Sequence, residues 1–375
     1  MLKTVEDRAV QAERAVHVGQ SVEEGDMPIF SNPDFDDHEA VHAFFDAGSG
    51  LKGFIALHST ALGPGFGGCR MWPYDTEAEA LSDALRLSRG MSYKNALAGL
   101  AYGGGKAVII ADSKTDKTPE LFEAYGRVVE SLGGRYLTAE DVGICVEDMQ
   151  IVARRTAHVS GIGQAGKFAG GDPSPLTAYG VYLGLCAAVR HKLGTETVEG
   201  LRVAVQGVGN VGYNLCKHLH ENGARLVVAD VYEPNVKRAV DEFGAEAVSP
   251  DVILFERADV LAPCALGGVI NPETISDLQA GVVAGAANNQ LATDEDGKAL
   301  QARGILYAPD YVVNSAGIMA VAAEHEGGIS EADLMARVER IYDRTLQIFE
   351  RADKENAPTS EIADEMAREV IAAAR

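Results

Sequence analysis

The chain lacks several features that mark other classes of protein. Its 375 residues include five cysteines, an odd number, and no Cys-x-x-Cys pair. A disulfide framework is therefore disfavoured, and free thiols in a reducing cytoplasm are expected. No apolar run approaches the roughly 20 residues of a membrane helix, and residues 1–16 lack the apolar segment of a signal peptide. The expected location is cytoplasmic, with no membrane partner.

Basic residues are also scarce, and this excludes a second group of functions. Lysine and arginine total 33 against 55 aspartates and glutamates, which gives a formal net charge of -22. Nucleic acid and anionic lipid would be repelled by such a surface, so no nucleic-acid partner is expected. The metalloprotease pattern His-Glu-x-x-His and the hydrolase pattern Gly-x-Ser-x-Gly do not occur. We therefore expect neither a metal nor a serine nucleophile.

The length and the spacing of apolar segments predict two domains. Residues 1–25 are polar and form an extension, and a Gly-, Pro- and Ser-rich stretch at 160–175 separates two regions of alternating strand and helix patterns. We expect a first domain at 26–165, a second at 175–331, and C-terminal helices at about 332–375 that pack back on the first. The predicted fold class is α/β, with two open α/β domains, the second a doubly wound parallel sheet of the Rossmann type.

A glycine loop in the second region predicts a dinucleotide site. The apolar strand VAVQ runs into the loop and the helical pattern YNLCKHLHENG follows it, and the loop reads Gly207-Val208-Gly209-Asn210-Val211-Gly212. The first glycine permits a tight turn, the second allows a pyrophosphate to approach the backbone, and the third allows helix and strand to pack closely. Asp230 ends the next strand, 18 residues beyond Gly212. Its carboxylate would bind the adenosine ribose hydroxyls and repel a 2′-phosphate, which predicts NAD as the cofactor.

Glycine and lysine also occur together in the first region. Gly103-Gly104-Gly105-Lys106 precedes the apolar run AVII, but Leu100 and Ala107 stand where a phosphate-binding P-loop needs glycine and Ser or Thr. Three glycines let backbone crowd around the Lys106 ammonium and shield it from water. Desolvation and a second cation, for which Lys94 is the candidate, lower the pKa of a lysine and allow it to act as a general base. Asp141 could supply an acid/base carboxylate, although each of these groups taken singly fits a solvated surface charge as well.

Several ungapped segments in the same order resemble the glutamate/leucine/phenylalanine/valine dehydrogenase family. They are GPGFGGCRMWPY, RGMSYKNALAGLAYGGGKAVI, RYLTAEDVG, DPSPLTAYGVYLG, VAVQGVGNVGYNLCKHLHENGA, LAPCALGGVIN, GAANNQL and YAPDYVVNSAGIM. The resemblance covers about residues 50–350 and is strongest to the leucine-specific members. It implies an NAD-dependent L-amino-acid dehydrogenase, active as a homo-oligomer, that converts an apolar, branched-chain amino acid reversibly to its 2-keto acid and ammonia.

The resemblance also implies roles for individual residues. Lys106 would activate water for attack on the iminium carbon that forms when the α-hydrogen leaves as hydride to NAD. Asp141 would move a proton at the substrate amino group, and Lys94 would hold the substrate carboxylate with the backbone of Gly67 and Gly68.

Further cofactor contacts follow from the same resemblance. Thr177 would lie near the nicotinamide carboxamide, and Asn289 would touch both the nicotinamide ribose and the substrate. The segment containing Asn289 also supplies Ala287 and Asn288 to the cofactor site.

Four residues are implied to line the side-chain pocket: Phe66, Ala139, Ile318 and Val321. Glutamate-specific members carry lysine in place of Phe66 and serine in place of Val321, so a glutamate side chain would bury its carboxylate without a partner, at a cost of several kcal/mol. Members specific for phenylalanine tend to carry glycine in place of Ala139 and leucine in place of Val321. Phe66 and Ile318 are larger than the usual leucine and valine, and either favour valine or isoleucine or, through Phe66, allow an aromatic substrate to stack.

Three alternatives stay open at this stage. One is a phenylalanine or other aromatic amino-acid dehydrogenase of the same family. Another is a catalytically silent NAD-binding protein, although such a protein would be expected to have lost Lys106 or Asp141. A hydroxy-acid dehydrogenase would need a His/Arg pair for its substrate, and no histidine accompanies the lysine-rich loops.

Overall fold

The computed structural model describes residues 29–163 and 172–375. The predicted extension at 1–25 and part of the predicted linker at 160–175 lie outside the described residues. Packing divides the chain into two units. We call them the N-terminal unit, which contains 29–163, Ile318–Leu334 and Met366–Arg375, and the C-terminal unit, which contains Asp172–Gly317 and Met335–Glu365.

The N-terminal unit is built on a mixed sheet. Its strands are β1 (Ala40–Asp46), β2 (Leu51–Ser59), β3 (Gly65–Phe66), β4 (Cys69–Trp72), β5 (Gly103–Ile110) and β6 (Tyr136–Leu137). Its complete helices are α1 (Glu77–Leu97), α2 (Pro119–Ser131) and α3 (Val146–Val152). The strand order is β1-β2-β5-β3-β6, and β4 also pairs with β5. β1, β2 and β5 pair antiparallel, whereas β3 and β4 both run parallel to β5.

Two apolar layers cover this sheet. On one face, Phe54 of β2 and Val108 of β5 pack with Leu81 and Leu85 of α1. On the other face, Ile55 and Ile109 belong to a core that includes Tyr125 of α2. Because successive side chains of a strand point to opposite faces, β2 and β5 are buried along nearly their whole length, as is typical of strands covered on both sides.

The three glycines before Lys106 belong to β5 rather than to a loop that precedes it. A Cβ at Gly103 would clash with the Ser59 carbonyl, and one at Gly104 with Ser88 and Ser92 of α1. A Cβ at Gly105 would lie 2.6 Å from the ring of Tyr136. The glycines therefore let α1, β2 and Tyr136 close around β5, and this packing buries the strand on which Lys106 stands.

The C-terminal unit contains the predicted doubly wound sheet. Its strands are β7 (Arg202–Gln206), β8 (Arg225–Ala229), β9 (Glu246–Ala247), β10 (Val260–Pro263), β11 (Val282–Val283) and β12 (Leu306–Tyr307). All five strand pairs are parallel, and the order β9-β8-β7-β10-β11-β12 is that of a Rossmann fold. The α/β prediction with a second sheet of the Rossmann type is thus confirmed.

Helices follow most strands of this sheet. The helices from residue 172 onward are α4 (Ser174–Leu193), which precedes β7, and α5 (Asn210–Glu221), α6 (Glu233–Phe243), α7 (Pro272–Ile275), α8 (Asp294–Ala302), α9 (Asp310–Val313), α10 (Ala316–Glu326), α11 (Glu331–Glu355) and α12 (Thr359–Ala373). The last three helices include residues of both units. Within the described residues, no helix is long and apolar enough to cross a membrane.

The C-terminal helices divide differently from the sequence-based expectation that 332–375 packs on the first domain. Met335–Glu365 groups with the C-terminal unit and Met366–Arg375 with the N-terminal unit. The cause lies in α4, where Gly180 and Gly184 leave room for buried Ile341 and Thr345 of α11. In the N-terminal unit, Arg368 of α12 donates a hydrogen bond to the Tyr93 hydroxyl at 2.8 Å.

Candidate active site

Lys106 and Asp141 form a close ion pair in the N-terminal unit. Lys106 lies in the middle of β5 and is 5% exposed, and its Nζ lies 2.6 Å from Oδ2 of Asp141. Asp141 follows the short strand β6, which pairs parallel with β3 and so ends at the same sheet edge. The two residues are therefore not separate surface charges. A lysine is rarely buried this deeply unless it is paired, and a buried lysine–carboxylate pair is a candidate functional site.

Arg70 of β4 is part of the same cluster, although no sequence pattern predicted a role for it. Its Nε lies 3.2 Å from Asp141 Oδ2, and its Nη1 lies 3.0 Å from Oδ2 of Asp83. Asp83 is buried on α1 and also accepts hydrogen bonds from Tyr74 and Arg86. The register Arg70↔Val108 between β4 and β5 brings Arg70 to this edge. The only sequence signal was its place in GGCRMW, between the glycines and the tryptophan.

The charges around Asp141 keep it ionised. Burial alone would raise the pKa of Asp141, but the ammonium of Lys106 and then the guanidinium of Arg70 outweigh burial. The pKa of this carboxyl is therefore held well below its usual range. At neutral pH Asp141 can accept a proton or a hydrogen bond, but it is not a proton donor in this arrangement.

Gly67 and Gly68 lie beside the ion pair. A Cβ at Gly68 would clash with the Glu140 carbonyl and lie 2.9 Å from Cβ of Asp141. The Gly67 carbonyl accepts a hydrogen bond from the Tyr136 hydroxyl at 2.7 Å. Lys94 is half-buried near the end of α1, the helix that covers the Lys106 face of the sheet.

The apolar residues predicted for the side-chain pocket also belong to the N-terminal unit. Phe66 is fully buried on β3, and its ring meets that of Tyr102 edge-on at 5.1 Å between centroids. Ala139 is buried between β6 and Asp141. Ile318 and Val321 are half-buried on α10, one helical turn apart.

The glycine loop of the C-terminal unit has two kinds of glycine. Gly207 adopts φ +87°, and a Cβ there would lie 2.7 Å from Cβ of Ala265; a Cβ at Gly212 would clash with the Gly207 carbonyl. These two glycines are required by the fold itself. Gly209 is different, because a Cβ there would meet no atom of the chain within 4 Å. An exposed glycine with open space before it, just ahead of α5, fits a bound phosphate that approaches the backbone.

Asp230 is tied to this loop. Its Oδ2 accepts a hydrogen bond from the Val208 backbone N–H at 2.8 Å, and its Oδ1 accepts one from the Tyr232 N–H at 2.8 Å. The carboxylate is thereby fixed at the end of β8, next to the loop. Each oxygen keeps acceptor capacity, so the residues present fit the adenosine ribose of a dinucleotide.

The remaining predicted cofactor residues lie at other places in the C-terminal unit. Asn288 and Asn289 are exposed after β11, and Asn289 adopts a positive φ of 51°. Asn288 Oδ1 accepts a hydrogen bond from Asn314 at 2.7 Å, and buried Ala287 precedes them. Thr177 lies in the first turn of α4, where its hydroxyl donates to the Pro173 carbonyl. Asn289 belongs to this unit, whereas the other predicted substrate residues belong to the N-terminal unit.

All five cysteines are free thiols. In the part of the chain that the structure describes, no group of three or more His, Cys, Asp or Glu side chains is placed to hold a metal ion. The ionisable groups that are linked to Asp141 by the contacts described above are those of Lys106, Arg70 and, through Arg70, Asp83.

Family models match both units. Residues 40–158 match the model described as Glu/Leu/Phe/Val dehydrogenase, dimerisation domain, and residues 172–233 and 229–374 match that described as Glutamate/Leucine/Phenylalanine/Valine dehydrogenase. A buried lysine–carboxylate pair on one unit and a Rossmann sheet on the other, in a chain that these models match, define an amino-acid dehydrogenase.

The chain belongs to the Glu/Leu/Phe/Val dehydrogenase family, as its sequence motifs predicted. It is 52% identical over 345 residues to a leucine dehydrogenase from Thermoactinomyces intermedius, covering 92% of this chain and 94% of the relative. It is 50% identical over 341 residues to a valine dehydrogenase from Streptomyces albus, covering 90% and 93% of the two chains. The solved structure of L-tryptophan dehydrogenase from Nostoc punctiforme matches with a TM-score of 0.80 and 43% identity over 90% of this chain and 96% of that one.

Proposed function

We propose that the protein catalyses the NAD-dependent oxidative deamination of a branched-chain L-amino acid to its 2-keto acid and ammonia, and the reverse reaction. The observation that carries this proposal is the contact between buried Lys106 and Asp141 at 2.6 Å. It supports the proposal because a lysine that could act as a base and a carboxylate that could accept the amino-group proton lie side by side in a member of a family of amino-acid dehydrogenases. The leucine and valine dehydrogenases at about half identity support the substrate class.

The side chains of the N-terminal unit then have distinct tasks. Lys106 takes a proton from the water that attacks the substrate carbon, which requires the lysine to be unprotonated at that step. Asp141, held ionised by Arg70 and by Lys106 when the lysine carries its proton, accepts and returns a proton at the substrate nitrogen. Because Lys106 Nζ and Asp141 Oδ2 are in hydrogen-bond contact, a proton can pass between them in one transfer. Lys94 and the backbone at Gly67 and Gly68 hold the substrate carboxylate.

The C-terminal unit would hold the cofactor. Gly209 and the amino end of α5, which begins with Asn210, Val211 and Gly212, would bind its pyrophosphate, and Asp230 its adenosine ribose. Thr177, Ala287, Asn288 and Asn289 are proposed to contact the nicotinamide end. When bound, NAD supplies the acceptor for the hydride that leaves the substrate α-carbon. NAD is preferred to NADP because the Asp230 carboxylate would repel a 2′-phosphate.

The side-chain pocket favours apolar substrates. Phe66, Ala139, Ile318 and Val321 carry no charge, so a glutamate carboxylate would be desolvated without a partner. An aromatic amino acid is the second candidate substrate, since the matched solved structure is a tryptophan dehydrogenase and Phe66 offers a ring to stack upon.

The test is NADH formation from NAD with a panel of L-amino acids: Val, Ile, Leu, Phe, Trp and Glu. The proposal predicts the highest kcat/KM with Val, Ile or Leu, and reductive amination of the matching 2-keto acid with ammonia. The highest kcat/KM with Phe or Trp would instead indicate an enzyme that is specific for aromatic amino acids. Failure to form NADH with every amino acid of the panel would overturn the proposed function. It would favour the alternative of a catalytically silent NAD-binding protein.

Self-association is proposed as well. The model matched by residues 40–158 is described as a dimerisation domain, and β1 is an edge strand of the sheet in this region. Sedimentation velocity should show a homo-oligomer at micromolar concentration.

A further inference from the structure

The exposed surface of α10 within the N-terminal unit is a single stripe. Between Ile318 and His325, four residues are buried and four are half-buried. The half-buried residues are Ile318, Val321, Glu324 and His325, and their spacing of three, three and one places them on one side of the helix. His325 lies four residues after Val321 and seven after Ile318, so it continues the line of the two proposed pocket residues by one turn.

The His325 ring packs against a third proposed pocket residue. Its centroid lies 6.2 Å from that of Phe66 and 6.4 Å from that of Tyr102. Phe66 and Tyr102 in turn meet edge-on at 5.1 Å. The three rings form one cluster, which we call the aromatic wall (Phe66, Tyr102 and His325). Movement of the His325 ring would therefore change the position available to Phe66.

Glu324 fixes this part of α10 against the rest of the unit. Its Oε2 accepts a hydrogen bond from the Gly161 backbone N–H at 3.0 Å. A Cβ at Gly161 would lie 3.9 Å from Cβ of Ala139, so Gly161 lies next to the fourth proposed pocket residue. The half-buried stripe of α10 therefore faces a region with two sides. On one side His325 contacts Phe66. On the other side Glu324 binds Gly161, which lies next to Ala139.

The imidazole of His325 is suited to an apolar wall. Its ring nitrogens make no hydrogen bond to any of the residues that the structure describes, 29–163 and 172–375. Burial, and then the neighbouring His158, lower the pKa of His325. Glu324 and Glu326 act in the opposite direction but are outweighed. At neutral pH the ring is therefore uncharged, and its bulk rather than its charge meets whatever enters the pocket.

We propose that His325 is a specificity-determining residue: its ring closes the far end of the side-chain pocket behind Phe66 and limits the length of the amino-acid side chain that the enzyme accepts. This inference rests on the proposed function, since it concerns the same pocket. It adds a residue to which neither the family motifs nor the charge cluster around Asp141 assigns a role. Short branched side chains are favoured because a longer unbranched or aromatic chain would meet the His325 ring.

Two substitutions of opposite size test this inference. His325→Ala removes one ring from the aromatic wall, whereas His325→Phe replaces that ring with a larger one. The matched control is Glu326→Gln, at an exposed position of the same helix. The measurement is kcat/KM for L-valine, L-leucine, L-norleucine and L-phenylalanine with each enzyme. For His325→Ala we expect the norleucine/valine ratio to rise by about tenfold, as one or two methylenes of fit change specificity by roughly 10–200-fold. His325→Phe should lower the same ratio, and Glu326→Gln should leave it unchanged.

A structural role alone would give a different result. If His325 only stabilised α10, its variants would lose kcat/KM in parallel for all four substrates and the ratios would stay constant, which overturns the proposal. Ratios that move in the same direction for Ala and Phe also overturn it. If His325→Ala does not fold, His325→Phe still decides, since it adds bulk without opening a cavity. Wild-type activity with unchanged ratios in the variants rejects only this inference, whereas a wild-type enzyme without activity on any amino acid rejects the proposed function too.

Discussion

The guanidinium Nε of Arg70 lies 3.2 Å from Oδ2 of Asp141, the same oxygen that Lys106 contacts at 2.6 Å. Two cations therefore share one carboxylate oxygen. If Arg70 were absent, Lys106 alone would balance the charge of Asp141, and the pair would be freer to exchange a proton internally. We therefore predict a positioning role for Arg70, in which it orients the carboxylate and helps to keep it ionised.

Arg70→Ala should raise the pKa of Asp141, since one of the two cations that hold it down is removed. The acid limb of the kcat/KM profile should then move to higher pH, and kcat should fall on the order of 100-fold through misplacement of the carboxylate. Arg86→Ala is the matched control, because Arg86 binds Asp83 but not Asp141. An Arg70 variant with the wild-type acid limb would show that Arg70 does not act through Asp141.

The same substitution should change stability against acid. The folded-state pKa of Asp141 is depressed, so ionised Asp141 contributes stability that is present above its unfolded pKa and is lost as pH falls through its folded pKa. In Arg70→Ala the folded pKa is higher and the contribution is smaller. Urea unfolding at descending pH should therefore show the variant losing stability at a higher pH than the wild type.

Lys106→Ala should abolish most turnover while cofactor binding persists, because the glycine loop belongs to the other unit. Loss of a general base costs about 100- to 10,000-fold in rate. NADH titration and kcat for the best amino acid are the measurements, with Lys52→Ala, whose side chain is 45% exposed, as the lysine control. Near-normal turnover in Lys106→Ala would remove this residue from the mechanism.

Asp230→Ser should reduce the preference for NAD over NADP. The carboxylate that repels a 2′-phosphate is lost, and so is the acceptor that fixes the Val208 N–H. We therefore expect a lower kcat/KM with NAD together with a gain with NADP. Asp241→Ser, on the exposed side of α6, should change neither value. Equal use of both cofactors by the wild type would contradict the role given to Asp230.

Phe66→Leu should raise kcat/KM for larger side chains relative to valine, by about 10-fold or more. Phe66 is fully buried against Tyr102. A leucine at this position would leave space next to the other two rings of the aromatic wall. The double variant Phe66→Lys with Val321→Ser should acquire measurable glutamate activity, since it introduces a cation and a hydroxyl for the side-chain carboxylate. Unchanged Val, Leu and Phe ratios in Phe66→Leu would place Phe66 outside the pocket.

The features that could be predicted from the sequence are those formed by one continuous stretch of the chain. The strand before Gly207, the helix after it and Asp230 at the end of β8 form one βαβ segment, so their spacing alone predicts their arrangement. The runs that became β7 and β8 and the C-terminal helices α11 and α12 were predicted for the same reason. Two-residue strands such as β9 and β12 were not, because two residues show no periodicity.

Features formed by distant segments could not be predicted in the same way. Arg70 reaches Asp141 across 71 positions of sequence, and it does so only because β4 and β3 pair with successive halves of β5. The packing of His325 against Phe66 likewise depends on α10 returning to the N-terminal unit after the whole Rossmann sheet. Neither arrangement leaves a local pattern. The family resemblance gave Lys106 and Asp141 their predicted roles, but the cations and rings that surround them required the three-dimensional fold.

Trp72, the last residue of β4, is the only tryptophan in the chain. It lies two residues beyond Arg70 and is half-buried, and its carbonyl accepts a hydrogen bond from the Ala111 N–H. Intrinsic tryptophan emission therefore originates entirely from the N-terminal unit, beside the charge cluster. A change in this emission would therefore report on the N-terminal unit without any attached dye, while the C-terminal unit contributes no tryptophan signal of its own. The native chain thus carries a built-in optical probe for one of its two units.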